Sequence, residues 1–168
     1  MKGHYSNILC VLSDTHRQDD VIAQAVHIAK SHQATLTLML SLESLPPNAN
    51  MVMESFSYID SQSSMETQAQ DWLRNQAEKW EEKYPTQTKV SIGSPLIDII
   101  TNVIKYQYDL VIKRAEESFL DRLFGSLDMR LLRKCPCPVW VLHQKWSGVY
   151  KNLRAALDLH PRYPKHEI

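Results

Sequence analysis

Three cysteines are the residues of this chain most able to do metal or redox chemistry: Cys10, Cys135 and Cys137. The last two flank a single proline, Pro136, which gives the compact spacing Cys-Pro-Cys. A zinc site requires a second cysteine pair or a cluster of histidines as further ligands, and the sequence places neither beside this pair. An odd number of cysteines in a chain without a secretion signal also argues against a disulfide framework. We therefore expect no metal site, and thiols that are buried or inert.

A second group that could do chemistry follows the first apolar run, where Asp14 and His16 stand close to Asp19 and Asp20. A histidine between carboxylates can act as an acid–base pair or help to hold a metal ion. A single mixed-charge loop after a strand is more often only solvated, and no spacing in the chain suggests a Ser/His/Asp or Cys/His arrangement. We therefore predict no catalytic residue and interpret the chain as a non-enzyme, with hydrolysis as the alternative.

The glycines are too few and too scattered to build a phosphate-binding loop, because only Gly3, Gly93, Gly125 and Gly148 occur. Loops of the GxxxxGK[ST] and GxGxxG types need clustered glycines so that the backbone can approach a phosphate group. The usual nucleotide-binding fingerprints are therefore absent from the sequence.

The overall composition is that of an ordinary globular domain and excludes several other classes of protein. The 168 residues include 19 Lys and Arg against 19 Asp and Glu, so a strong electrostatic hold on nucleic acid is not expected. The chain is 43% hydrophobic and 23% charged, without an apolar run of the roughly 18 residues that a membrane-spanning helix needs. With no cleavable apolar segment after the first residues, we expect a cytoplasmic protein that binds neither nucleic acid nor membrane.

Short runs of branched apolar residues alternate with longer amphipathic segments, which predicts strands separated by helices. The predicted strands are residues 8–12, 35–40, 88–92, 109–112 and 139–142, and the predicted helices are residues 18–31, 65–80, a segment opened by Ser94 and Pro95, and residues 126–134. In the third helix we expect an inward face formed by Leu96, Ile97, Ile100, Val103 and Ile104. Residues 43–59, which include two consecutive prolines, are expected to form a long loop.

Strands joined through helices require crossover connections, which makes the strands parallel and covers the sheet on both faces. The fold class that we predict is therefore α/β, a doubly wound five-stranded parallel sheet. A receiver domain shares this pattern but needs an aspartate at the end of the third strand, where Gly93 stands. A flavodoxin needs a Ser/Thr-rich phosphate loop after the first strand, where residues 14–18 are charged and lack glycine.

The first predicted strand is echoed near the end of the sequence. The segment from Tyr5 to Ser13 matches the segment from Tyr150 to Asp158 at a tyrosine, an asparagine and a leucine in the same register. We therefore expect one complete domain over residues 1–146, followed over residues 147–168 by a linker and the first strand of an incomplete second copy. Chance similarity between two short strands is the alternative.

Three segments together resemble the C-terminal half of the universal stress protein family: residues 108–113 (YDLVIK), 125–127 (GSL) and 131–142 (LLRKCPCPVWVL). The last is similar in particular to the N-terminal domain of the tandem, E-type members, which carry two such domains in one chain. The resemblance covers residues 4–168. It implies a five-stranded parallel sheet in the order 3-2-1-4-5 with helices on both faces, like that of the adenine-nucleotide alpha-hydrolases.

The same resemblance implies a nucleotide site that this sequence retains only in part. Nucleotide-binding members resemble one another in an aspartate at the end of the first strand and a GxxG motif after the fourth, followed by Gly-Ser or Gly-Thr. Here Ser13 stands at the aspartate position with Asp14 one residue later, and Lys113 and Glu116 stand at the two glycines. Because glycine lets backbone N–H groups approach a phosphate without a Cβ atom in the way, the motif is degraded.

A generic anion site is the alternative, since Gly125 and Ser126 still match the motif and open a helix whose N-terminus offers free N–H donors. Lys113 and Arg114 would then partly compensate for the missing glycines, although a simple N-cap is the interpretation of Ser126 that we favour over phosphate contact. The candidate cofactor-binding residues are Ser13, Asp14, Lys113, Arg114, Gly125 and Ser126.

In function, the resemblance implies a universal stress protein domain that acts in the stress response as a non-enzymatic regulatory or interaction module without a cofactor. The alternative is a domain that binds ATP or another adenine nucleotide and signals by its occupancy. Family members pair through the fifth strand, so we expect a homodimer through Val139 to Leu142, together with further protein partners. The segment that begins at Asn152 and ends at Leu157 is expected to add to a sheet edge or to swap between subunits.

Overall fold

A computed structural model describes residues 4–13, 18–44, 55–115 and 126–142 of the chain. Strands and helices alternate along these residues, as the sequence predicts. Their bounds are β1 Asn7–Leu12, α1 Asp19–His32, β2 Thr35–Glu43, α2 Ser55–Glu81, β3 Gln87–Gly93, α3 Pro95–Tyr106, β4 Leu110–Arg114, α4 Leu127–Lys134 and β5 Val139–Leu142.

The described strands form one parallel sheet in the order β3-β2-β1-β4-β5, which confirms the predicted fold class and strand order. β1 lies at the centre, where Val11 is opposite Met39 of β2 on one side and Lys113 of β4 on the other. Because all the paired strands run in the same direction, the residues that follow β1 and β4 meet at one edge of the sheet.

Side chains of β1 alternate between two layers of core, which explains why this strand is apolar at almost every position. Ile8, Cys10 and Leu12 pack with residues of α1 and α2, whereas Leu9 and Val11 pack with residues of α3 and α4. All five side chains are at most 1% exposed. A strand with two apolar faces requires cover on both sides, and the described helices supply it.

The inward face of α3 differs from the predicted one. Leu96 and Val103 are buried and Ile100 packs against the core, as expected, but Ile97 is 62% exposed and Ile104 is 64% exposed. The fully buried residue is Ile99, which the sequence prediction omitted. At about 100° per residue, the buried positions centre on one direction, and Ile97 and Ile104 lie about 90–110° away from it. The apolar stripe of α3 is therefore wider than the face that the sheet covers.

Two predicted boundaries also shift. β2 continues through Glu43, and α2 already begins at Ser55, so the last part of the predicted loop over residues 43–59 is helical. Serine, phenylalanine and tyrosine are only middling helix formers and give no clear signal, whereas an established helix adds one hydrogen bond for each further residue. Ser94 and Pro95 open α3 as expected, although the Ser94 hydroxyl makes no capping hydrogen bond.

Asp109, predicted as the first residue of the fourth strand, instead ties β1 to the turn before β4. Its carboxylate accepts hydrogen bonds from the backbone N–H groups of Ser6, at 2.6 Å, and Asn7, at 3.0 Å. The Asn7 side-chain amide donates in turn to the carbonyl of Tyr106 at 2.8 Å. These bonds align the start of β1 with the start of β4.

Replacing Asp109 by alanine is expected to lower the free energy of unfolding by about 1–3 kcal/mol, because two backbone donors lose a charged acceptor. Urea unfolding followed by circular dichroism measures the change. Asp71→Ala is the matched control, since Asp71 lies exposed on α2 and pairs with Arg74 at 3.6 Å in an i, i+3 pair. A variant at Asp109 no less stable than this control would contradict the assignment.

None of the helices in the described part of the chain combines the length and the apolar character needed to cross a membrane.

Candidate functional site

The carboxyl edge of the sheet gathers the candidate residues that the structure describes. Ser13 directly follows β1 and is half-buried, and Lys113 and Arg114 are the last two residues of the neighbouring strand β4. Ser126 stands immediately before α4, whose first turn reaches the end of β4. Asp14 and Gly125, the other two candidates, lie outside the described residues.

Lys113 is the most deeply buried charged residue of this edge, with a side chain that is 0% exposed. Its ammonium group donates a hydrogen bond to Oδ1 of Asp128, which follows the first residue of α4. The Asp128 carboxylate lies in the first turn of α4, where the partial positive charge of the helix macrodipole also stabilises an anion. A buried ion pair therefore joins the end of β4 to the start of α4.

Arg114 points to the other side of the sheet, as alternation along a strand requires. Its Nη1 atom lies 3.9 Å from Oδ2 of Asp20, in the first turn of α1, and this pair is partly exposed, at 24% for Arg114 and 39% for Asp20. The two neighbouring cations of β4 thus each face an aspartate at the start of a helix, one helix on each face of the sheet.

Ser126 acts as the N-cap of α4. Its hydroxyl oxygen accepts a hydrogen bond from the backbone N–H of Met129 at 3.3 Å, which satisfies one of the donors that a helix start leaves open. The capping alternative considered for Ser126 from the sequence is therefore confirmed. Its oxygen is already a partner of its own helix.

Positive and negative side chains balance one another at the described site. Each cation is matched by a carboxylate, so an incoming phosphate would meet Asp128 and Asp20 as well as Lys113 and Arg114. From the sequence pattern, Asp20 belongs only to a charged loop, and Asp128 is not predicted as part of the site. Asp128 could have been found from one signal: a lysine near the end of a strand, followed along the chain by a helix with an aspartate in its first turn.

Among the described residues, no three His, Cys, Asp or Glu side chains lie close enough together to hold a metal ion. Burial is complete for Cys10, as expected, and desolvation raises its pKa to about 12. Cys135 and Cys137 are half-buried, so burial is confirmed for Cys10 alone among the three thiols, and the inertness expected of the other two stays a prediction.

Comparison with known proteins places these features in a family. The model of the universal stress protein family matches residues 4–143. A relative, universal stress protein E of Salmonella typhi, is 28% identical over 169 residues, covering 96% of this chain and 53% of that protein. The chain spans about half the length of the curated relatives it matches.

Solved structures show the same fold. Universal stress protein UspA from Lactobacillus plantarum superposes with a TM-score of 0.69 at 21% identity, covering 84% of this chain and 100% of that one. A universal stress protein solved in complex with cAMP gives a TM-score of 0.60 at 15% identity, covering 84% of this chain and 98% of that one. With the strand order and the family match in agreement, this chain belongs to the universal stress protein family.

Proposed function

We propose that this chain is a non-enzymatic regulatory module of the stress response, which acts in the cytoplasm through protein partners and does not depend on a bound nucleotide. The observation that carries the proposal is the buried pair of Lys113 and Asp128. It lies at the end of β4, the region where the family resemblance implies a glycine motif around phosphate groups.

The chemistry of this pair works against phosphate binding. A lysine at the first motif glycine brings a long side chain to the place where backbone N–H groups would approach the ligand. The charge of Lys113 is already neutralised by Asp128, and the Asp128 carboxylate also interacts favourably with the positive N-terminal end of α4. A phosphate would therefore have to displace a buried carboxylate or lie beside it, and like charges at short range repel strongly in a low-dielectric site.

Adenine-nucleotide binding is the second candidate function, with ATP as the ligand. It is supported by the structural neighbour solved with cAMP and by the preserved serine at the start of α4. In this case the phosphate would replace the Asp128 carboxylate as the partner of Lys113.

Calorimetric titration of the purified chain separates the two candidates. With ATP, ADP, AMP or cAMP in the presence of Mg²⁺, we expect no saturable heat up to ligand concentrations of about 1 mM. A dissociation constant of that size corresponds to a binding free energy of about −4 kcal/mol. Saturable binding at micromolar ATP would overturn the proposal. In that event Lys113→Ala and Ser126→Ala should weaken it, whereas Arg74→Ala on α2 should leave it unchanged.

The partner that we propose first is a second copy of the chain, paired through β5. Among the described strands, β5 pairs with β4 alone, at the edge of the sheet. The carbonyl of Pro138 accepts a hydrogen bond from Val111 of β4, and that of Leu142 accepts one from Ala115, directly after β4. By alternation, the backbone N–H groups of Val139 and Val141 point outward. An edge with outward-pointing N–H donors and apolar side chains favours pairing. The segment from Asn152 to Leu157, proposed to join a sheet edge, lies outside the described residues.

Light scattering tests this dimer. The parent chain is expected to have twice the monomer mass at high micromolar concentration, and Val141→Pro is expected to be monomeric, because proline removes an outward N–H group without touching the pairing with β4. Val141→Thr is the matched control, since it keeps both the N–H group and the branched shape. A monomeric parent chain, or a Val141→Pro dimer as stable as the control, would contradict pairing through β5.

A further inference from the structure

The Cys-Pro-Cys segment between α4 and β5 brings two thiols into direct contact. Cys135 is the C-cap residue of α4, and its N–H donates to the carbonyl of Leu131 at 2.8 Å. Cys137 precedes Pro138 and the start of β5. The two sulfur atoms lie 3.6 Å apart, and both residues are half-buried. A disulfide bond is about 2.05 Å long, so the sulfurs need to approach by only about 1.5 Å.

The surroundings of the two thiols divide their roles. The hydrogen bond from Cys137 lowers the pKa of Cys135 to about 7, against its partial burial, which acts in the opposite direction. The shared hydrogen bond with Cys135, burial and the nearby charge of Asp109 raise the pKa of Cys137 well above the usual range. In this contact a thiolate on one sulfur is stabilised by the S–H group of the other, and we assign the thiolate to Cys135, which leaves Cys137 as the resolving thiol.

We propose that Cys135 and Cys137 form a reversible dithiol–disulfide site whose oxidant is a peroxide. This site goes beyond the proposed regulatory function and does not depend on it. It stands on the distance between the two sulfurs, on their partial exposure and on their separation by one proline.

The reaction balances in two steps. The Cys135 thiolate attacks one oxygen of hydrogen peroxide, the O–O bond breaks, and a sulfenic acid forms on Cys135 while hydroxide leaves and takes up a proton to become water. The Cys137 sulfur then attacks the Cys135 sulfur, the S–S bond forms, and the sulfenic hydroxyl leaves as water with the Cys137 proton. Two thiols are oxidised by two electrons and one peroxide is reduced to two waters. Two equivalents of a small thiol, which leave as one disulfide, or one dithiol, which leaves as a cyclic disulfide, return the pair to the reduced state by exchange.

Cys10 is a control built into the same chain. It is fully buried in β1, and desolvation raises its pKa to about 12, so it holds almost no thiolate at neutral pH. A chemical difference between Cys10 and the pair therefore reports on the site and not on thiols in general.

The experiment treats the reduced full chain with one equivalent of hydrogen peroxide at pH 7, blocks the remaining thiols with N-ethylmaleimide and maps the tryptic peptides by mass spectrometry. We expect the peptide of residues 135–145 to lose two hydrogens and to regain them with dithiothreitol, while Cys10 stays a thiol. Oxidation mainly of Cys10, or a product joined only between chains on a non-reducing gel, would overturn the proposal.

Two serine variants test the separate roles. Cys137→Ser is expected to accumulate a sulfenic acid on Cys135 that dimedone traps, because the resolving thiol is gone. Cys135→Ser is expected to react with peroxide about tenfold more slowly, since burial and the nearby charge of Asp109 still raise the pKa of Cys137 and keep its thiolate fraction low. Cys10→Ser should oxidise like the parent. A Cys135→Ser variant as fast as the parent would overturn the assignment of Cys135 as nucleophile.

Discussion

Replacing Asp128 by asparagine is expected to lower the free energy of unfolding by about 3–5 kcal/mol, because it leaves the ammonium group of Lys113 buried without its counter-charge. Lys113 is completely buried and Asp128 nearly so, and water therefore cannot take over the lost interaction. Asparagine keeps the shape of the side chain, so the loss reports on charge and not on a cavity. Urea unfolding followed by circular dichroism measures it.

The partly exposed pair of Arg114 and Asp20 provides the matched control. Asp20→Asn removes the same kind of charge from the neighbouring cation of β4, but solvent screens this pair, and the expected loss is about 1 kcal/mol or less. The double variant Lys113→Met with Asp128→Leu should recover most of the stability, since apolar residues of similar size replace a buried pair at little cost. Equal losses for Asp128→Asn and Asp20→Asn would contradict the burial of the Lys113 pair.

Replacing Ile99 by alanine is expected to cost about 2–5 kcal/mol, because Ile99 is fully buried between α3 and the sheet and its removal opens a cavity. Ile97, two residues earlier on the same helix, is mostly exposed, and Ile97→Ala should change stability by no more than about 0.5 kcal/mol. The same substitution at two isoleucines of one helix thus gives effects that differ severalfold.

Thermal and urea unfolding of both alanine variants check this expectation, with unchanged helical circular dichroism as the control for folding. A loss at Ile97 as large as the loss at Ile99 would show that the apolar stripe of α3 is covered in solution by a partner surface. A loss at Ile99 below that at Ile97 would contradict the orientation of α3 itself.

Much of the fold follows from local patterns in the sequence. β1 is apolar at almost every position because it has core on both faces, and such a run indicates a central strand of a parallel sheet. The last helix also followed from its residues, since Ser126 stands where an N-cap is required and Pro136 and Pro138 end the helical segment. The strand order came from the family resemblance, because local periodicity contains no information on which strands are neighbours.

Which side of α3 is buried could not be predicted from the sequence, for a physical reason. Its isoleucines at 97, 99, 100 and 104 surround more of the helix than one sheet can cover, so hydrophobicity alone does not select the buried side. Contact with the sheet and with α4 selects it. The spacing of apolar residues predicts the buried side of a helix only where the apolar stripe is no wider than the surface that covers it.

The alternation of strands and helices, the lack of glycine-rich phosphate loops and the Cys-Pro-Cys spacing of Cys135 and Cys137 can all be read from the residues in order. Which charges and which sulfur atoms come into contact depends on the folded chain. Lys113 and Asp128 are 15 residues apart in the sequence. They pair because folding brings the first turn of α4 next to the end of β4. The thiols lie 3.6 Å apart because the helix ends at Cys135 and the chain turns into β5. Interactions of this kind depend on atoms that only folding brings within a few ångströms, where charge and sulfur chemistry act.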